Sequence, residues 1–195
     1  FSSRRRHTRS FHVTGVQTCA LPISLSESTL QVITLQILQV LQHLQKQGLA
    51  HGDLSLENLM WLPKQQKIVV IDFGLAVKKP TEQQIHPGFS KPRGKLNYIA
   101  PELMRKDTPF EVFKIDLWSL GVVLYTLAYN QLPYNTPTTT DAIFYRLWTQ
   151  GVTSILPPRR LKRSQPFIHF LSLLLQPANK RASLDSLFQF YQRGA

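Results

Sequence analysis

The sequence predicts an α+β fold that is mainly α-helical and contains a short β-hairpin. Three observations favour it: apolar residues recur at helical spacing within 30–44, two β-type runs flank a turn within 58–71, and residues 113–129 are apolar on nearly all sides. A chain of 195 residues is long enough for one domain with a sizeable core. These patterns begin after residue 24, so residues 25–195 form the predicted domain.

The first predicted element is an amphipathic helix. Its apolar residues recur at steps of three and four positions and therefore share one face: Leu30, Ile33, Ile37, Leu41 and Leu44. Gly48 follows, and glycine readily adopts the left-handed conformation that ends many helices. We expect the helix to end at Gly48 and to lead directly into the loop that begins at His51.

A β-hairpin is predicted next. Residues 68–71 form a short apolar run of β-branched side chains, which is typical of a strand. Residues 58–62 are the predicted partner strand, with residues 63–66 as the turn. The second strand would deliver Asp72 to the functional site.

The third predicted element is a helix at residues 113–129. Because apolar residues surround it on nearly all sides, the helix is expected to be buried. Asp116 would then be a carboxylate inside the core, which is tolerable only where it is hydrogen-bonded.

Three short motifs occur around these elements. They are His51-Gly52-Asp53-Leu54-Ser55-Leu56-Glu57-Asn58, Ile71-Asp72-Phe73-Gly74 and Ala100-Pro101-Glu102. In this order and spacing they resemble the catalytic loop, the metal-binding turn and the activation-segment end of eukaryotic protein kinases, and residues 94–102 are closer to the serine/threonine branch. The resemblance implies the carboxy-terminal lobe of the kinase fold with the hairpin at its active site. It also implies a protein substrate, with ATP and Mg²⁺ as cofactors.

The resemblance assigns chemical roles to individual residues. Phosphoryl transfer needs a carboxylate that orients the attacking hydroxyl and accepts its proton, and oxygen ligands that hold Mg²⁺ against the phosphates. By motif position Asp53 is that base, and Asn58 and Asp72 bind the metal and the nucleotide. Met60 takes the position of the apolar side chain under the adenine, although ordinary core packing suits a methionine there as well.

Other residues resemble those that hold the kinase lobe together. His51 and Phe73 match residues that align the lobe, and Asp116 matches the aspartate that holds the backbone of the catalytic loop. Glu102 and Arg181 match an ion pair of the family. The alternative is two solvated surface charges, but a buried pair is favoured because a buried charge must find a partner.

The chain departs from the family pattern beside the base. Gly52 replaces the usual arginine, so the pocket that clamps an activation-loop phosphate lacks its main cation and control by loop phosphorylation is less expected. Ser55 replaces the lysine that would meet the transferring phosphoryl group. Lys95 follows Gly94 where threonine is usual. It is either a surface lysine or a catalytic cation that reaches the place vacated at Ser55, because transition-state charge must be met.

The family elements that cover ATP are missing from the sequence. It contains neither Gly-x-Gly-x-x-Gly nor Val-Ala-x-Lys, and the residues before 25 are too few for a five-stranded lobe. Residues 25–195 are therefore expected to be a partial kinase domain, inactive without its N-terminal lobe. The main alternative is a pseudokinase or interaction module that keeps the fold for binding.

Residues 1–24 resemble the conceptual translation of a sequencing adapter, so we expect them to be non-native. The alternatives are a nuclear-localisation or nucleic-acid-binding patch, an organellar transit peptide, or a disordered tail.

Composition limits the remaining classes. The net charge of +12 suits ATP phosphates or acidic partners, but charge alone identifies neither. Cys19, the single cysteine, lies outside residues 25–195, which is consistent with a cytoplasmic protein. No apolar run approaches the length of a membrane span, and no interleaved aromatic and basic pattern indicates nucleic-acid binding. The oligomeric state is left open.

Overall fold

The computed structural model describes residues 25–80, 85–157 and 163–192. The expectation for residues 1–24 lies outside these ranges and stays a prediction. The helices are α1 (Glu27–Lys46), α2 (Lys114–Tyr129), α3 (Ala142–Gln150), α4 (Gln165–Leu174) and α5 (Leu184–Gln192). The strands are β1 (Leu49–Ala50), β2 (Leu59–Leu62), β3 (Lys67–Val70), β4 (Val77–Lys78), β5 (Ile85–His86) and β6 (Phe110–Glu111), and they form the antiparallel pairs β1–β4, β2–β3 and β5–β6. The prediction of a mainly helical α+β fold is confirmed for the described ranges.

Helix α1 begins and ends where the sequence provides suitable capping residues. The Oγ atom of Ser26 accepts a hydrogen bond of 3.1 Å from the backbone N–H of Thr29, which satisfies a donor that the first turn leaves unpaired. The helix ends at Lys46, slightly before the predicted end at Gly48. Gly48 has a φ of +70°, so it turns the chain out of the helix just beyond the cap and into β1.

The predicted hairpin forms between β2 and β3, with Leu59 opposite Val70. Its limits differ from the prediction by one residue, because Asn58 ends a 3₁₀ turn and Ile71 lies beyond β3. The N–H of Ile71 nevertheless donates to the carbonyl oxygen of Asn58 at 3.0 Å. The hairpin therefore brings Asn58 and the segment leading to Asp72 to the same edge.

Gln36 of α1 attaches this hairpin to the helix. Its Nε2 atom donates to the carbonyl oxygen of Gln66 at 2.8 Å, and its Oε1 atom accepts from the N–H of Ile68 at 2.7 Å. Because one side chain bonds both sides of the turn, the hairpin is held against the helix by polar contacts as well as by packing.

Helix α2 forms the centre of the core, as its apolar pattern predicts. Trp118 is fully buried, and its Nε1–H donates to the hydroxyl of Tyr134 at 2.7 Å. Gly121 permits the close approach of the end of α4, because a Cβ atom there would lie 2.8 Å from Leu175. Neither α2 nor another helix in the described ranges combines the length and the apolarity that a membrane span requires.

Candidate active site

Asp116 holds the backbone at the start of the candidate catalytic loop. Its Oδ2 atom accepts from the N–H of His51 at 2.6 Å, and its Oδ1 atom accepts from the N–H of Gly52 at 2.9 Å. Burial raises the pKa of the Asp116 carboxyl, and these two N–H donors act against that rise because they favour the ionised form. The buried carboxylate thus has the hydrogen bonds that its position in the core requires.

His51 joins the loop to the end of β3. Its Nδ1 atom accepts from the N–H of Asp53 at 3.3 Å, so the proton resides on Nε2, which donates to the carbonyl oxygen of Ile71 at 3.0 Å. The ring is fully buried, with its centroid 4.9 Å from that of Phe73. Phe73 itself is 46% exposed, so only part of this expected aligning residue packs against the described chain.

Asp53 is held from within its own loop by Asn58. The Nδ2 atom of Asn58 donates to the carbonyl oxygen of Asp53 at 2.7 Å and to its Oδ2 atom at 3.1 Å. Asn58 is buried at the edge of the hairpin, so its amide is a fixed donor. These two bonds set both the path of the loop and the direction of the carboxylate.

Lys95 reaches the same carboxylate from a distant part of the chain. Its backbone N–H donates to Oδ1 of Asp53 at 3.2 Å, and its Nζ atom lies 3.1 Å from Oδ2. The same Nζ atom donates to Oγ of the fully buried Ser55 at 2.9 Å. The structure therefore places the Lys95 ammonium beside Ser55, where the family pattern has its lysine.

Gly52 and Gly94 allow these close contacts. Gly94 has a φ of +94°, and a Cβ atom there would lie 3.2 Å from Oδ1 of Asp53. Gly52 has a φ of +77°, and a Cβ atom would lie only 2.3 Å from the carbonyl oxygen of Leu75. L-residues rarely adopt such φ values, so both positions favour glycine. In this backbone the family arginine has no room at position 52.

Asp72 forms a tight turn at the end of the hairpin. It has a φ of +65°, which is uncommon for a residue with a side chain, and its Oδ1 atom accepts from the N–H of Gly74 at 3.1 Å. The residue as a whole is exposed. Met60 is half-buried on β2, opposite Val69.

Asn58 and Asp72 supply donor atoms that suit Mg²⁺. With Nδ2 of Asn58 engaged on Asp53, the amide oxygen is the atom left to act as a ligand. Mg²⁺ prefers oxygen ligands and is usually bound by one or two carboxylates together with substrate phosphates. No group of three or more His, Cys, Asp or Glu side chains gathers within the described ranges, so these residues do not form an all-protein cage.

Glu102 and Arg181 form a bidentate ion pair. Nη1 of Arg181 lies 2.7 Å from Oε1 of Glu102, and Nη2 lies 3.1 Å from Oε2. The guanidinium is fully buried and also donates to the carbonyl oxygens of Lys114 and Gln176. The two residues are therefore not solvated surface charges in this structure.

An aromatic cluster that the sequence did not predict anchors the start of residues 85–101. The His86 ring stacks on Phe110 at 4.9 Å and packs against Phe89 at 4.6 Å. Nδ1 of His86 accepts from the N–H of Gly88 at 3.0 Å, and the carbonyl oxygen of Phe89 accepts from the N–H of Asp107 at 2.9 Å. The sequence signal in this region is His86-Pro87-Gly88, which is typical of a turn. It does not show that β5 pairs with β6.

Comparison with known proteins identifies a family. Residues 16–190 match the family model described as protein kinase domain. The chain is 34% identical over 112 residues to the mitosis inducer protein kinase cdr1 of Schizosaccharomyces pombe, an alignment that covers 57% of this chain and 18% of that protein. It is 29% identical over 154 residues to testis-specific serine/threonine-protein kinase 4 of Homo sapiens, covering 73% of this chain and 45% of the relative.

A probable serine/threonine-protein kinase of Dictyostelium discoideum is also similar, with 29% identity over 151 residues. That alignment covers 77% of this chain and 11% of the relative. The chain thus spans less than half the length of each of these relatives.

Proposed function

Because the chain belongs to the protein kinase domain family, we propose that it contains the catalytic loop of an enzyme that transfers the γ-phosphate of ATP to serine or threonine side chains of proteins. The observation that carries the proposal is the set of donors that converge on the carboxylate of Asp53. Two of them come from Lys95 and one comes from Asn58. Such a fixed carboxylate suits the orientation of a substrate hydroxyl.

The hydrogen bonds of Asp53 leave space for that hydroxyl. A carboxylate offers about four acceptor positions, two on each oxygen. Oδ2 accepts from Asn58 and from the Lys95 ammonium, whereas Oδ1 accepts only the Lys95 backbone N–H among the described residues. The second acceptor position of Oδ1 is therefore the one that would bind the substrate O–H and receive its proton.

Asn58 and Asp72 would hold Mg²⁺ through the amide oxygen and a carboxylate oxygen. When bound, the metal would neutralise negative charge on the ATP phosphates. The hairpin fixes these two ligands relative to Asp53, since Asn58 contacts Asp53 directly and Asp72 follows the Ile71 carbonyl that binds His51. Met60 would contribute the apolar surface under the adenine.

Lys95 would supply the positive charge that Ser55 cannot. The Lys95 side chain is 37% exposed, while its ammonium is held by Asp53 and Ser55. A cation placed there before reaction can stabilise charge on the transferring phosphoryl group without reorganisation. Lys95 is in this proposal the replacement for the family lysine.

The glycine-rich loop and the strand lysine of the family do not occur in the 195 residues. Because positioning and charge neutralisation provide most of the catalysis in phosphoryl transfer, we expect the 195-residue chain on its own to show no appreciable kinase activity. The proposal is therefore tested in the protein at its natural full length.

The test compares Asp53→Asn and Asp72→Asn with the unsubstituted protein in a peptide phosphorylation assay. Each substitution is expected to abolish transfer, and Asp72→Asn should also weaken Mg²⁺-dependent nucleotide binding. Asp185→Asn, at an exposed aspartate in the first turn of α5, is the matched control and should leave the rate unchanged. Wild-type rates in both site variants would favour a pseudokinase that keeps the fold for binding.

A further inference from the structure

Residues 85–101, which contact Asp53 through Lys95, carry only positively charged side chains. Residues 85–101 contain Lys91, Arg93 and Lys95 but no aspartate or glutamate. All three cations follow the aromatic anchor at His86 and Phe89 and precede the ion pair at Glu102. A substrate lying along this segment therefore meets a positive field on that side.

Arg93 lies next to the part of the segment that touches the base. A Cβ atom at Gly94 would lie 3.2 Å from Oδ1 of Asp53, and the N–H of Lys95 donates to the same atom at 3.2 Å. Consecutive Cα atoms are about 3.8 Å apart, so Arg93 begins within one residue of the contact. A substrate hydroxyl must approach Asp53 to hydrogen-bond distance. The backbone of Arg93 therefore lies beside the residues that flank this hydroxyl.

Within the described residues the guanidinium of Arg93 contacts an aromatic ring and forms no ion pair. Its Cζ atom lies 4.9 Å from the centroid of the Phe89 ring, a cation–π contact. Phe89 is itself packed against His86 and Phe110. The ring contact holds the guanidinium, and the N–H groups of a guanidinium match the two oxygens of a carboxylate.

Glu57 adds a negative charge to the loop that carries Asp53. It is exposed on the catalytic loop and is close enough to Tyr98 to contribute to the raised pKa of that phenol. An acidic substrate residue on the Glu57 side would be repelled, whereas one on the Arg93 side would be attracted. The electrostatics therefore favour acid wherever a flanking residue lies nearer to Arg93 than to Glu57.

We propose that the protein selects substrates with a glutamate or aspartate beside the phosphorylated serine or threonine, and that Arg93 is the residue that binds this acid. The inference rests on the proposed function and adds a substrate class to it. A guanidinium placed beforehand on Phe89 loses little freedom when it binds a carboxylate, so its contribution appears as affinity and as discrimination between flanking residues.

The test measures binding of fluorescent serine-centred peptides to the full-length protein by anisotropy. The peptides are identical except for glutamate, glutamine or lysine placed at one flank or the other. At one flank the glutamate peptide is expected to bind roughly three- to tenfold more tightly than the glutamine peptide, with the lysine peptide weakest. Arg93→Gln should remove this difference and leave the affinity for the glutamine peptide nearly unchanged.

Lys64→Ala is the matched control for loss of a positive charge. Lys64 lies in the turn of the hairpin, at the end of β2 and β3 away from Asn58 and Asp72. This variant should keep the full preference for glutamate. Equal binding of the glutamate and glutamine peptides, no detectable binding of any peptide, or an equal loss for all peptides in Arg93→Gln would each overturn the inference.

A phosphorylation assay on the same peptides separates this inference from the proposed function. Absence of phosphate transfer to every peptide would contradict the kinase proposal, while the binding data would still decide whether Arg93 recognises an acid. Transfer without any effect of the flanking residue would support the kinase proposal and reject the specificity.

Discussion

Lys95 and Ser55 are 40 residues apart in sequence, yet their side chains are joined by a hydrogen bond beside Asp53. The lysine side chain has a long flexible stem and carries its charge at the tip, whereas serine is short. The Lys95 ammonium can therefore reach Ser55 from residues 94–95 if this segment lies close to the loop. Gly94 allows that approach, because a side chain there would press on Asp53 and Ile99.

The first prediction concerns this ammonium. In the full-length enzyme, Lys95→Ala should lower kcat by roughly one to two orders of magnitude, on the order of 1.4 to 3 kcal/mol of transition-state stabilisation, with little change in the KM for ATP. Steady-state kinetics with a protein substrate would measure this loss. Lys64→Ala, which removes an exposed lysine from the hairpin turn, should leave kcat unchanged.

A second substitution tests whether Lys95 replaces the lysine that is absent at Ser55. Adding Ser55→Lys to Lys95→Ala should recover part of the lost rate, because the positive charge returns from the catalytic loop itself. The pair forms a double-mutant cycle whose coupling energy measures whether the two positions act on the same charge. An unchanged kcat in Lys95→Ala would make Lys95 a surface lysine without a catalytic function.

Among the elements, α1, α2 and the β2–β3 hairpin were predicted, whereas α3, α4, α5 and the two-residue strands were not. Helix α1 follows a repeat of three and four residues, α2 is apolar throughout, and β3 is a β-branched run, so each is apparent in its own residues. Strands β1, β4, β5 and β6 have two residues each, too few to show any alternation. Their pairing depends on tertiary contacts that local sequence does not encode.

The candidate site shows the same division. The identities of Asp53, Asn58 and Asp72 follow from motif spacing, and the hairpin explains why they lie together. The Lys95 ammonium contacts Asp53 and Ser55, and its function as a catalytic cation stays a prediction. By contrast, the stacking of Arg93 on Phe89 involves residues without a motif, and only the fold brings the rings of His86, Phe89 and Phe110 together.

The second prediction concerns the anchor formed by β5, β6 and this aromatic cluster. Phe89→Ala should speed hydrogen exchange at the amides of Gly88 and Asp107, because both are hydrogen-bonded within the anchor and local opening needs fewer contacts to break. Exchange measured by NMR or mass spectrometry would detect the change. Phe190→Ala, in the aromatic group between α4 and α5, is the matched control and should leave both amides protected as before.

Failure of Phe89→Ala to alter exchange at these two amides would show that the strand pair alone holds the segment. An equal increase in Phe190→Ala would instead indicate a global loss of stability. Only a change restricted to residues 85–111 supports an aromatic anchor.

At the scale of the whole molecule, buried polar groups link segments that are far apart in sequence. Arg181 and Glu102 are separated by 79 residues, and the bond from His51 to Asp116 joins positions 65 residues apart. Removing one partner of a buried ion pair leaves the other uncompensated, which is generally more destabilising than replacing both. These contacts make the position of the catalytic loop dependent on the packing of the entire helical core.

The third prediction concerns stability at alkaline pH. Burial, the larger cause, together with nearby Glu57 raises the pKa of Tyr98 to about 12, and burial with nearby Tyr125 raises the pKa of Tyr129 to about 12. The ordinary tyrosine value is about 10. Above that pH the unfolded chain releases protons that the folded chain keeps, so the free energy of unfolding should fall as pH rises from about 10 through 12.

Each of these phenols should contribute about 2 kcal/mol to that loss. Urea unfolding at a series of pH values measures it, and Tyr129→Phe should flatten the alkaline limb. Tyr145→Phe is the control, because Tyr145 is 51% exposed on α3 and its substitution should leave the slope unchanged. A free energy of unfolding that stays constant between pH 10 and 12 would show that these side chains become accessible before the domain unfolds.

Gly52 lies too close to the carbonyl oxygen of Leu75 to be replaced by a larger residue without a change in the backbone. An arginine at position 52 would have to displace the turn that carries Asp72, since its Cβ atom and that oxygen cannot occupy the same space. A phosphate clamp of the family type is therefore more than one substitution away, because the turn would have to move together with the side chain. Acquiring such a clamp would therefore also change the geometry of the turn that carries Asp72, on which metal binding is proposed to depend.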